Sequence, residues 1–168
     1  MITGLKKIGK FGVEVRFDSS NKKYIAILGY LGNDRKINIP KSIYVNYEEI
    51  NVTTIGDEAF AGLSSLDSIT IPSGVTTIGD EAFADCSSIT RIIVPASVTS
   101  IGSSAFSEGG YNVYYDKTYI PSTWKNDWKD NFRGNFYIKS ATMPISNPNE
   151  SNIDGYWHYV HGKPKVLI

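Results

Sequence analysis

The chain has 168 residues, 41% of them apolar, which is enough for one domain with a sizeable core. Its 17 Lys and Arg balance 17 Asp and Glu, so it lacks the basic excess of a general nucleic-acid binder. One cysteine, Cys86, excludes an intramolecular disulfide and any multi-cysteine metal site, and no apolar run reaches the about 18 residues that a membrane-spanning helix needs.

The charge is uneven along the chain. Residues 1–50 carry nine basic and five acidic side chains, residues 51–106 carry Arg91 against six acids, and residues 107–168 carry seven basic and six acidic. The opening stretch MITGLKKIGKFGVEVRF has no apolar h-region and no small-residue cleavage site, so it does not read as a secretory signal. A cytoplasmic protein, a mature form, or an excised piece of a longer exported chain is expected on that ground.

In chain order, the first predicted element is a hairpin. Val13, Val15 and Phe17 alternate with polar residues, DSSNKK turns, and Tyr24 to Leu28 runs back. It is expected to cap the N-terminal end, within residues 1–34. RKINIPKSI, from Arg35, then sets Ile37, Ile39 and Pro40 in the pattern that DSITIP repeats at Ile69, Ile71 and Pro72. The offset is 32 residues, so YVNYEEIN (44–51) reads as an insertion.

VTTIGDEAFAGLSSLDSITIPSG (52–74) is followed by VTTIGDEAFADCSSITRIIVPAS (75–97) and by VTSIGSSAF (98–106), a period of 23. Val52, Val75 and Val98 repeat, as do Ile55, Ile78 and Ile101, and Phe60, Phe83 and Phe106. A period of about 20–29 with L-x-x-L-x-L spacing is the signature of a leucine-rich solenoid, in which each coil buries its apolar face only by stacking on the next. Ile69 and Ile71 alternate with Ser68 and Thr70 as in a strand, and Pro72 ends it. VTTIG is a second short extended piece. Gly56, Gly79 and Gly102 are placed at tight turns, and DEAF reads as a turn of helix with acids at its start.

After the repeats, Val113 and Tyr115 take the inward strand positions, and NFYIK (135–139) adds a strand with Phe136 and Ile138 inward. Trp124 and Trp128, four apart, are placed on one helical face of a C-terminal cap. MPISNPNESN reads as a loop before GYWHYVHGKPKVLI. The expected fold is therefore an α/β leucine-rich-repeat solenoid. It has short parallel strands, mostly strand and turn with few short helices, and caps at both ends. The whole of 1–168 forms one domain, with the cap at 1–34, repeats at 35–115, and cap and tail at 116–168.

The run VTTIGDEAFAGLSSLDSITIPSGVTTIGDEAFADCSSITRIIVP resembles the BspA-like leucine-rich repeats of bacterial surface proteins, whose repeat has the form I-G-x-x-A-F, then L-x-x-I-x-I-P, then V-x-x-I-G. The segment PSTWKNDW also resembles the P-S-x-W-x-x-x-W that closes such arrays. The resemblance is strong over 52–106 and extends from 24 to 138. It implies a leucine-rich-repeat fold, a binding role, and an extracellular or cell-surface location with a part in adhesion.

No catalytic constellation is legible. Cys86 aligns with the core position of Leu63, and the histidines, His158 and His161, lie more than 70 positions away. Those two could chelate a metal only in a helix, and their neighbours are aromatic and β-branched. Asp57–Glu58 and Asp80–Glu81 recur in identical settings, whereas catalytic carboxylates need different ones; they read as a solvated face. No phosphate-binding glycine loop occurs. No catalytic residue, metal or cofactor is expected.

What remains is a sheet face. Its outward positions are Arg35, Lys36, Asn38, Asp67, Ser68, Thr70, Thr90, Arg91, Ile93, Asn112, Tyr114 and Asp116, and these are the predicted partner-binding residues. Arg91, Ile93 and Tyr114 depart from the small polar background, and Arg and Tyr are common interface anchors. The expected function is a non-catalytic protein-binding module whose partner is a host surface or matrix protein, not a nucleic acid. The alternative is a glycan-binding module using Trp124, Trp128 and Tyr114.

Overall fold

The computed structural model describes residues 4–139 in full and the main chain of 155–160 and 163–167. The N-terminal unit is β1 (Lys6–Ile8), β2 (Phe11–Phe17) and β3 (Lys23–Tyr30), paired antiparallel in succession. The coils then supply two kinds of strand. One set, built from the SITIP-type segments, comprises β4 (Lys36–Asn38), β7 (Ser68–Thr70), β9 (Arg91–Val94), β11 (Asn112–Tyr115) and β12 (Phe136–Lys139). The other comprises β6 (Glu48–Ile55), β8 (Thr77–Ile78) and β10 (Ser100–Ile101), from the VTTIG segments. The hairpin strand β3 pairs in parallel with β6, β6 with β8, and β8 with β10. The predicted cap thus takes the place that a preceding VTTIG strand would fill. At the other end β12 pairs with β13 (Gly155–Val160), which folds back antiparallel on β14 (Lys163–Leu167). His158 lies in β13, but its side chain, like His161, is outside the described residues.

Between the two sheets lies one core. Val52, Val75, Val98, Ile55, Ile101, Leu66, Ile92 and Val94 have no exposure. The inward positions read from the period-2 pattern are buried, namely Ile37, Ile69, Val113, Tyr115, Phe136 and Ile138, although Tyr114 between two of them is buried as well. At the corner of each coil Phe60, Phe83 and Phe106 stack with centroids 5.6 and 5.9 Å apart and planes within 5° and 4°. That spacing is close to the strand-to-strand repeat, so the ladder sets the ring stack.

The expected α component is absent. Among the described residues there is no helix, and the solenoid is all-β. The reason lies in the DEAF turns. Glu58 and Glu81 sit at φ 53° and 52°, which ends any helical course. The turn's N–H groups bond outward to the next coil: Glu58 and Phe60 donate to the carbonyls of Asp80 and Ala82, and Glu81 and Phe83 donate to those of Ser103 and Ala105. Coil-to-coil bonds have replaced i to i−4 bonds.

Two further expectations are corrected here. Gly56, Gly79 and Gly102 have no positive φ; a Cβ on Gly79 would sit 2.6 Å from both the Asp57 nitrogen and the Gly56 carbonyl carbon. The glycine permits close stacking, not a tight turn. The acids beside it are not helix-start charges. The Asp57 carboxylate accepts from the Asp80 N–H at 2.9 Å, and Asp80 accepts from the Ser103 N–H at 2.8 Å. They form a ladder along the solenoid.

The insertion is a β-hairpin. Strand β5 (Ser42–Val45) pairs antiparallel with the first half of β6 across Asn46 and Tyr47, both at positive φ (51° and 65°). Trp124 and Trp128 lie in turns, not on a helix. Their rings meet edge-on at 5.2 Å, buried against Tyr115, Phe136 and Phe106.

Candidate functional site

The parallel register puts the predicted binding residues in rows on one sheet face. Lys36 is beside Ser68 and Asn38 beside Thr70. Arg91 is beside Asn112, and Ile93, Tyr114 and Tyr137 form one row. Each row is outward because its neighbours along the strand are buried. Arg35, Lys36, Asn38, Ser68, Thr70, Thr90 and Arg91 are exposed, while Asp67, Ile93, Asn112 and Asp116 are half-buried. Tyr114 lies on the expected face but is buried, its ring stacked on Tyr137 at 5.2 Å.

The glycan alternative loses its platform here. Trp124 and Trp128 are 5% and 2% exposed, so neither ring face is open for a sugar to stack on. They close the core instead.

The sheet on this face is in two parts. Strands β4 and β7 form one ladder, β9, β11, β12, β13 and β14 another, and no ladder joins β7 to β9. The sequence offered no sign of this, since Ser68–Ile71 and Arg91–Val94 are one period apart and would pair like every other coil. The seam opens a groove of about 650 Å³. Ile69 and Ile71, from the core, reach its lining, and Ser68, Thr70, Thr90, Arg91, Ile93 and Pro95 flank them. Ile69 and Ile71 are each 7% exposed, against 0% for their counterparts Ile92 and Val94.

Electrostatics divide the groove's charges into paired and unpaired. Asp67 accepts two bonds from the Arg35 guanidinium, at 2.9 and 3.1 Å, and this contact holds its carboxyl below the usual range. Asp116 meets the Lys139 ammonium at 2.6 Å. Arg91 has no ion-pair partner among the described residues. Further along, the Asn135 side-chain N–H donates a hydrogen bond to Asn112 Oδ1 at 3.1 Å, continuing Arg91's row as a side-chain ladder.

The opposite sheet carries a smaller groove of about 370 Å³, lined in part by Thr53, Thr54, Thr76 and Thr77. Its outward residues hardly change from coil to coil. The Thr76 hydroxyl donates to the Thr53 carbonyl at 3.2 Å, and Thr99 to Thr76 at 3.5 Å. That face is a structural ladder.

Cys86 is fully buried, its thiol 3.1 Å from the Phe60 carbonyl, and desolvation pushes its pKa up to about 11. A nucleophilic thiol needs the opposite shift. Among the described residues no three His, Cys, Asp or Glu converge on a metal position, and no helix is long and apolar enough to cross a membrane.

Stacked strand-and-turn coils with a repeating I-G-x-x-A-F turn and an I-x-I-P strand define a leucine-rich-repeat solenoid. The profile of the BspA type leucine-rich repeat region matches residues 36–152 in six copies. The chain belongs to that family. It also resembles solved structures. One is a leucine-rich cell surface protein from Faecalibacterium prausnitzii, at TM-score 0.57 and 20% identity, with 82% of this chain and 45% of that one covered. Another is a leucine-rich repeat protein of T. pallidum, at TM-score 0.51 and 20% identity, covering 80% and 71%. The chain thus spans less than half of the Faecalibacterium protein's length. No curated protein sequence matches it.

Proposed function

We propose that the chain is a non-catalytic protein-binding module that engages its partner through the outward face of β4, β7, β9 and β11. The observation that carries the reading is a contrast within one molecule. The Thr-rich face repeats itself coil after coil, whereas the other face changes from Ser68 to Arg91 to Asn112 and from Thr70 to Ile93 to Tyr114. That changing face is also where the sheet parts into a groove. A repeat scaffold that served only its own stability would have no use for either departure. The family, and the Faecalibacterium relative described as a cell surface protein, support a setting on a bacterial surface; the partner class proposed for that setting is a host surface or matrix protein.

The test is a binding screen of the purified chain against surface and matrix proteins, with an Arg91→Glu/Ile93→Asp variant alongside. Arg91 is exposed and Ile93 half-buried, so the variant's melting temperature is measured beside the parent's and binding is compared below both. Loss of a hit in the variant is the expected result. A hit that survives it, and is lost instead on Thr53→Lys/Thr76→Lys, would transfer recognition to the opposite sheet.

A further inference from the structure

We infer that the groove between β7 and β9 receives an acidic side chain from an extended segment of the protein partner, with Arg91 as its counter-charge. The inference rests on the protein-binding reading above and adds the chemistry that is recognised. Three observations combine. First, Arg91 is the single basic residue between 51 and 106, in a stretch holding six acids, and it lines the groove. Second, the two acids that line the groove are ion-paired elsewhere, Asp67 with Arg35 and Asp116 with Lys139, while Arg91 has no ion-pair partner among the described residues. An exposed guanidinium whose nearby carboxylates are taken presents its fork of donors to an incoming carboxylate. Third, Ser68, Thr70, Ser73 and Thr90 add hydroxyl donors to the lining, and Ile69, Ile71 and Ile93 add an aliphatic surface.

This mixture favours a peptide over an acidic sugar. A carboxylate clamp beside a strip of Ile and Pro suits an Asp or Glu followed by an aliphatic side chain. A glycan site would present an aromatic ring to stack on, and none lines this groove. Arg91 is exposed whereas Ile69 and Ile71 are buried, so the ion pair forms in contact with water while the apolar neighbour is desolvated against the aliphatic atoms.

The experiment is selection of a random octapeptide display library on the intact chain, followed by titration of the recovered peptides against parent, Arg91→Gln and Arg91→Lys. The recovered peptides should be enriched in Asp and Glu. Replacing that acid by its amide, or Arg91 by Gln, should each weaken binding by about tenfold or more, the range of a charge-assisted hydrogen bond. The two changes together should cost little beyond either alone. Arg91→Lys should restore part of the affinity, because the charge returns without the fork.

Acid-independent binders that are lost on Ile93→Asp would overturn the carboxylate inference and leave the face reading standing. Binders indifferent to every substitution on this face would overturn both. Failure to recover any peptide would overturn the inference alone, since the whole-protein screen judges the face separately. A hyaluronan oligosaccharide that displaces the peptides and binds more tightly than they do would reassign the groove to acidic glycans.

Discussion

Gly79 shows how a single residue sets the pitch of the array. The backbones of successive coils meet at this point, and a Cβ on Gly79 would lie 2.3 Å from the Asp57 carboxylate oxygen and 2.6 Å from backbone atoms. Gly102 repeats the arrangement against Asp80, 2.2 Å from its carboxylate oxygen and 2.5 Å from its nitrogen. The glycine and the aspartate beside it are one device. The missing side chain lets the coils close, and the closure brings the Asp57 carboxylate to the Asp80 N–H. Gly79→Ala should therefore cost about 1–3 kcal/mol, as overpacking against backbone does. Gly110 is the matched control. It has open space around it and no positive φ, so Gly110→Ala should stay within about 0.5 kcal/mol. Urea titration of both variants gives the comparison. Equal stabilities would mean that the coil contact is not the reason for the glycine.

At the scale of one element, the β5–β6 hairpin is the clearest departure from the repeat. Its place was legible as a break in register, and its buried face follows from Ile43, Val45 and Ile50, all buried. What was not legible was its turn. A two-residue turn with both φ positive asks for Asn-Gly, and here Asn46 is followed by Tyr47 at φ 65°. The left-handed region costs a residue with a Cβ about 1 kcal/mol or more, and Tyr47 is fully exposed, so no packing offsets it. Tyr47→Gly should raise stability by about 1 kcal/mol, read as a higher melting temperature with an unchanged far-UV spectrum. A lower melting temperature would mean that the ring makes a contact which offsets the strain. The DEAF turns went astray for a related reason. Acids before Ala-Phe are a sound helix-start pattern taken alone, but a turn whose Glu and Phe N–H groups find carbonyls on the next coil has no need of a helix. Coil-to-coil bonding is invisible in one repeat and follows only from the stack.

Over the whole molecule, the sequence period was enough to place the inward residues of the central coils and the recurring Phe, because Val52, Ile55 and Phe60 recur every 23 residues through Val98, Ile101 and Phe106. The seam between β7 and β9 was beyond its reach, since perfect repetition argues for a perfect ladder. The C-terminal closure was legible in residues but not in form. Trp124 and Trp128 are part of the core they cover. Trp128 meets Phe106 at 6.1 Å and Phe136 at 4.6 Å, so it joins the last full repeat to the strand beyond it. Neighbouring coils stabilise each other through their shared interfaces, and a cap bound this way should unfold with the coils. Trp128→Ala should cost about 3–5 kcal/mol, the range for a buried large aromatic. It should also lower the near-UV and far-UV circular dichroism transitions together, because loss of the closing ring opens the solenoid end from which unfolding propagates. If near-UV signal were lost well before the strand signal, the cap would be a separately docked unit, and the continuity of the core through Phe106, Trp128 and Phe136 would have no energetic weight.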